Sequence, residues 1–207
     1  MKKKVITIVL AALLIYACSD NDDNSDYPSL LTELVDAHTG GNARVSSIIT
    51  DNGTTYYPTS SISTSTADTT FRCLCSFSIS EEDSSKVNVY NIAQIFSQKA
   101  VDASKIKDTS SDPVNIVSVW KSKRYINTTI GILTNDEGSH KYAFCIDSIS
   151  CRTAYIRLIH HKPDEDRESY TKKVNLSLPL YNLKDIDNVE YSIQAYDSLH
   201  SFLFNIE

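Results

Sequence analysis

The stretch Phe71 to Ile79 constrains the fold more than any other. Phe71, Cys73, Cys75, Phe77 and Ile79 alternate with Arg72, Leu74, Ser76 and Ser78. A period of two puts the first set on one face of a β-strand, whereas a helix would scatter it around its circumference. The strand therefore faces a core and needs partners. Leu30 to Ala37 reads as a first strand, turned back by His38-Thr39-Gly40-Gly41-Asn42, and Arg44 to Thr50 reads as a second. Asp51-Asn52-Gly53 is a tight-turn signal because Asn and Gly accept positive φ. Thr54 to Tyr57 follows as a short strand, and Pro58 to Thr66 is a Ser/Thr-rich stretch with Ile62 alone to bury, which suits an exposed loop. Beyond the turn Glu81 to Ser85, Lys86 to Ile95 returns. Five strands of this length suit a small barrel or sandwich.

Residues 96 to 112 mix polar groups with few apolar ones and end at Pro113, which reads as a connector. Val114 to Trp120 opens a second run of strands, followed by Tyr125 to Leu133, Tyr142 to Ile146 and Ala154 to His161. Lys173 to Leu180 again alternates, and Val189 to Tyr196 with Ser201 to Ile206 forms a closing hairpin. This pattern predicts a β-sandwich. The expected organisation is a first domain over 27–104, a linker over 105–112 and a sandwich over 113–207, mainly β throughout.

The start of the chain gives an address. Lys2-Lys3-Lys4 precedes the apolar run Val5 to Ala17, the layout of a signal peptide over 1–17. The run is shorter than the ~20 apolar residues a membrane-spanning helix needs. Leu14-Ile15-Tyr16-Ala17-Cys18 resembles a bacterial lipobox, in which the thiol of Cys18 receives the lipid. Tyr16 is bulkier than the residue usual there. Acyl chains supply ~0.8 kcal/mol per buried methylene, so two or three together hold a folded domain at a membrane. Residues 18–26 then form a polar, acidic tether. Its Ser19-Asp20-Asn21-Asp22-Asp23-Asn24 resembles the acidic export signal of Bacteroidota lipoproteins, which implies an outer-membrane, surface-exposed location.

Charge excludes one class of partner. The formal net charge is −6 at pH 7 and becomes −9 once the three signal-peptide lysines are lost. Residues 27–104 carry eight Asp/Glu against four Lys/Arg, the wrong sign for nucleic acid. The five glycines, at 40, 41, 53, 131 and 138, make no phosphate-cradling loop. The expected contacts are the membrane, through the lipid, and an envelope or extracellular protein or glycan.

Several short motifs together resemble the NigD-like lipoproteins. In the second half they are Asp112-Pro113-Val114, Trp120, Tyr125-Ile126-Asn127, His140-Lys141-Tyr142-Ala143-Phe144, Leu158-Ile159-His160-His161, Asp164 to Tyr170 and Ser177-Leu178-Pro179-Leu180. In the first half they are Asp51-Asn52-Gly53 and Thr70-Phe71-Arg72-Cys73-Leu74-Cys75. The resemblance implies a small OB-like β-barrel followed by a β-sandwich. It brings no catalytic residue, and it implies a role as a bacteriocin immunity protein.

Candidate sites are few. His160-His161 with Asp164, Glu165 and Asp166 is the nearest approach to a metal cluster. Adjacent strand residues point to opposite faces, so the two imidazoles cannot share an ion without a bulge, and no metal or other cofactor is expected. His38, His140 and His200 read as isolated. Cys73 and Cys75 share a core face and read as buried free thiols. Cys145 and Cys151 flank what reads as a turn, Ile146 to Ser150, and are the candidate disulfide. No catalytic constellation appears, so the leading expectation is a non-enzymatic binding protein. An accessory subunit of a surface complex, or a hydrolase using Asp164, Asp166 and His161 in loops, are the alternatives.

Overall fold

The computed structural model describes residues 29–164 and 169–206. Cys18, the signal peptide, the tether, Glu165 and Asp166 lie outside the described residues.

Strands β1 (Leu31–Thr39), β2 (Val45–Thr50), β3 (Thr55–Pro58), β4 (Thr70–Ile79) and β5 (Lys86–Gln94) close a barrel in the order β1-β2-β3-β5-β4. All pairings are antiparallel except β3 with β5. The alternation in β4 does what its period demands: Cys73, Cys75 and Phe77 are fully buried inside the barrel with Val35, Ala37, Ile48 and Val87. Burying each of the larger aliphatic or aromatic side chains contributes about 1.5–3 kcal/mol. Gly53 takes φ +95 in the β2–β3 turn, a conformation that a side chain would strain. Ile79, at the end of β4, is exposed, while Arg72 on the opposite face is buried. The buried arginine departs from simple alternation because a second body covers that face.

That body is the sandwich. Its larger sheet has the order β13-β12-β10-β9-β6, built from β6 (Val101–Asp102), β9 (Lys141–Ser150), β10 (Thr153–His161), β12 (Asn188–Gln194) and β13 (Leu199–Asn205). The smaller sheet is β11-β8-β7, from β7 (Asn115–Lys121), β8 (Tyr125–Thr134) and β11 (Tyr170–Pro179). Ile126, Ile130, Phe144, Ile156, Leu158, Leu176, Leu178, Tyr191 and Ile193 fill the space between them. β8 is buried on both faces along much of its length. Its even-numbered residues enter the sandwich core, and Tyr125 and Asn127 turn towards the barrel.

Two boundaries differ from expectation. The sandwich takes the chain well before the expected linker: Phe96 bridges to Leu176 and packs on Tyr142 and Phe144, Ala100 joins the core, and β6 pairs with β9. The expected linker itself lies along β10, with Asp112 N donating to His160 O and Arg157 donating to Thr109 O. Scattered apolar residues suffice there because a sheet edge stands ready beside them. The β9–β10 hairpin turns at Cys151-Arg152, both at positive φ, and not over Ile146 to Ser150. Residues Asp147 to Ser150, all polar except Ile149, are the exposed end of a long strand. No helix among the described residues is long and apolar enough to cross a membrane.

Candidate functional site

Where the outer faces of β1 and β4 meet β8 and β11, four charged side chains come together. Asp36 and Arg72 are cross-strand partners in the barrel and point away from its core. Arg72 Nη1 donates to Asp36 Oδ1 at 3.3 Å, and Nη2 donates to Asp51 Oδ1 at 2.6 Å and Asn127 Oδ1 at 3.2 Å. Its Nε donates to Ser177 Oγ at 3.2 Å, and its guanidinium carbon stands 4.1 Å from the centre of the Tyr125 ring. Asp36 also accepts from Tyr125 Oη at 2.9 Å and from Arg124 Nη2. Asn127 Nδ2 donates to Asp51 Oδ2 at 2.8 Å, and Ser177 Oγ donates to Asn127 Oδ1 at 2.7 Å.

Three of these residues belong to the barrel and four to the sandwich. Two cations and two anions make the cluster neutral, and the side chains of Arg72 and Asp36 are each 2% exposed. Burial raises the Tyr125 hydroxyl above its ordinary value, so it stays protonated and donates. Every named polar group is engaged within the cluster, which suits it to lock two domains. Sequence reading missed it because alternation assigned Arg72 to solvent and Asp51 to a turn. The available signal was a charged residue with apolar neighbours on both sides, Asp36 between Val35 and Ala37 and Arg72 between Phe71 and Cys73.

A second feature lies at the barrel mouth. The β3–β4 connection folds over the start of β4 and the end of β5, leaving a cleft of about 390 Å³ lined by Ser and Thr residues with Phe71, Ile92 and Gln94. The connection is tied down along its length. Val45 N donates to Ile62 O, Thr64 N to Ala43 O, and Ile62 packs on the barrel core. Thr39 Oγ1 lies 3.0 Å from Thr66 O and accepts from Thr69 N at 3.0 Å.

The histidines are not isolated. His140 Nδ1 lies 2.8 Å from His160 Nε2, their rings within 2° of parallel, and Tyr142 stacks on His160 from 5.4 Å. His160 Nδ1 lies 3.3 Å from the Asp112 carbonyl, which fixes the proton on Nδ1 and leaves Nε2 to accept from His140. Burial depresses the His160 pKa below its ordinary value. His161 points the other way, with Nε2 3.4 Å from Asp108 O, and Asp164 borders the same shallow surface cleft as His161. His38 Nδ1 meets Thr70 Oγ1 at 2.6 Å, and His200 Nε2 meets Asp197 Oδ1 at 3.0 Å. Among the described residues no group of three or more His, Cys, Asp or Glu could hold a metal ion.

Cys145 and Cys151 are both free thiols. Cys145 pairs with Arg157 inside the strand, whereas Cys151 sits in the turn. Six residues of extended chain span about 20 Å, far beyond the Cα separation of roughly 4.4–6.8 Å that a disulfide accepts. The bridge expected from sequence rested on a turn that is not there. Burial pushes the thiol pKa up to about 12 for Cys73 and about 11 for Cys75 and Cys145. These groups are protonated and inert at neutral pH.

Residues 94–196 match the family described as the NigD-like C-terminal beta sandwich domain. Among solved structures, a NigD-like immunity protein from Bacteroides caccae superposes with TM-score 0.69 at 21% identity, covering 86% of this chain and 93% of that one. A protein from Parabacteroides distasonis named as toxin-related gives 0.67 at 16%, covering 86% and 94%. One from Bacteroides fragilis named as a lipoprotein gives 0.61 at 13%, covering 87% and 98%. At these identities the likeness establishes the fold. No curated protein matches the chain.

Proposed function

With residues 94–196 placing this chain among proteins that carry the NigD-like C-terminal beta sandwich domain, we propose that it is a non-enzymatic binding protein of the cell envelope. In this reading an acylated Cys18 holds it at the outer membrane and the acidic tether lets it face outwards. The observation that carries the reading is the junction. Arg72, Asp36, Asp51, Arg124 and Tyr125 are committed to joining barrel and sandwich, and His160 is tied to His140 and the Asp112 carbonyl. Such commitment favours a preorganised recognition body over a reaction centre, because a fixed surface has less ordering entropy to lose on binding.

Within that class, the proposed role is protection against a bacteriocin, in keeping with the name of the Bacteroides caccae relative. Deleting the gene should raise sensitivity to bacteriocins of competing strains, and a copy in trans should restore resistance. Unchanged sensitivity across a panel of such strains removes the immunity role.

A further inference from the structure

We propose that the cleft at the barrel mouth binds a short neutral oligosaccharide, held by Ser63, Thr69 and Gln94 over a floor of Phe71 and Ile92. This rests on reading the chain as a binding protein and names a ligand class for it. The volume of about 390 Å³ falls within the roughly 300–1,000 Å³ of ordinary small-ligand sites. The lining is hydroxyls, one amide and apolar side chains, with no ionisable group. Such a wall supplies no charge to balance an anion or a metal ion. It matches a sugar, whose ring carries hydroxyls that both donate and accept around an apolar C–H face.

The placement of each group follows from the barrel. Gln94 stands opposite Cys73, and Ile92 opposite Cys75, so both share the inward register of the core strand. Phe71 and Ile92 are outlying members of the barrel core, and the cleft opens onto them. The half-buried Phe71 ring supplies apolar contact area to the floor. Gln94 closes this apolar floor with an exposed amide that supplies both a donor and an acceptor. Its amide and the hydroxyls of Ser63 and Thr69 make no hydrogen bond to another described side chain or backbone group. By contrast, Thr64 Oγ1 is 3.1 Å from Ala43 O and Thr70 Oγ1 is bonded to His38. The wall is thus divided between hydroxyls that hold the loop in place and hydroxyls left for a ligand. The overall negative charge is the wrong sign for nucleic acid.

The test is calorimetric titration of the full chain, held in a zwitterionic detergent free of sugar, against neutral tetraoses of the α-glucan, β-glucan, xylan and mannan series. At least one should bind saturably. Gln94→Ala and Thr69→Val, at exposed and half-exposed positions, should each weaken it about tenfold or more, the loss of one or two hydrogen bonds, with the melting temperature unchanged. Absence of saturable heat with every tetraose at millimolar concentration overturns the proposal. So does binding indifferent to both substitutions, or saturable heat with neutral tetrapeptides in place of sugars. A chain that confers bacteriocin resistance but takes no sugar retires this site alone. One that binds sugar without conferring resistance retires the immunity role alone.

Discussion

Asp36 and Arg72 face each other across β1 and β4, 3.3 Å apart, and both side chains are buried by the sandwich rather than by the barrel to which they belong. An ion pair on the outside of a barrel would ordinarily be solvated and worth little. Here the second domain supplies Tyr125, Arg124, Asn127 and Ser177 to complete it. The barrel thus presents a charged face that only a docked sandwich satisfies.

Removing one partner should be costly. Arg72→Met leaves the Asp36 and Asp51 carboxylates short of their central cation and is expected to destabilise the chain by about 3–5 kcal/mol, the usual cost of orphaning a buried charge. Arg72→Lys should recover little, since a point ammonium cannot make the four bonds of the guanidinium fork. Urea unfolding at pH 7 reads both. A loss below about 1 kcal/mol for Arg72→Met, the range of an exposed pair, would show that the junction is solvated.

The fold should weaken in mild acid through His160. Burial lowers its pKa in the folded state, so the unfolded chain takes up the proton first. Its contribution is fully present above the ordinary histidine value of about 6.5 and is lost as pH falls from there through the depressed folded value. The neighbouring His140 ring acts on His160 in the same direction as burial. Melting temperature should therefore drop between about pH 7 and pH 5, and His160→Gln should flatten that slope. Equal slopes for the two proteins would refute it.

Thiol chemistry should follow burial. In a Cys18→Ala chain, the exposed Cys151 should react with an aromatic disulfide reagent under native conditions, and Cys73, Cys75 and Cys145 only after unfolding. No difference in mobility is expected between reduced and non-reduced samples. A Cys145–Cys151 peptide found by mass spectrometry of the native protein would contradict this arrangement.

Anchoring should depend on one residue. Cys18→Ala is expected to move the protein from the membrane to the soluble fraction, because no second acylation signal follows in the tether. Protease added to intact cells should cleave the unaltered protein. Protection until lysis would place it on the inner side, and membrane retention of the variant would remove the lipid anchor.

Much of the fold was legible because alternation is a local consequence of burial on one face. β4 and β11 declared themselves this way, and Asp51-Asn52-Gly53 announced its turn through a glycine at φ +95. The β9–β10 turn did not, since Cys151 and Arg152 are not residues that favour positive φ. The junction was hidden for a related reason. Whether a strand's second face meets water or a neighbouring domain is a tertiary fact, so Arg72 and Ser177 looked like solvent-facing residues. The motifs that carried the family resemblance nonetheless contain Asp51, Arg72, Tyr125, Asn127 and Ser177, the residues that meet at the junction. The barrel-mouth cleft was unreadable because a Ser/Thr-rich loop gives no sign of being pinned.

β1 is the first strand among the described residues and is hydrogen-bonded on both edges, to β2 and to β4. Antiparallel interstrand bonds lie across the strand direction, so tension applied at Leu31 along β1 strains that whole row together instead of opening it bond by bond. Midway along, the Asp36 carboxylate passes part of the load to Tyr125 and Arg124 in the sandwich. A pull at Leu31 is therefore carried by contacts in the barrel and in the sandwich alike.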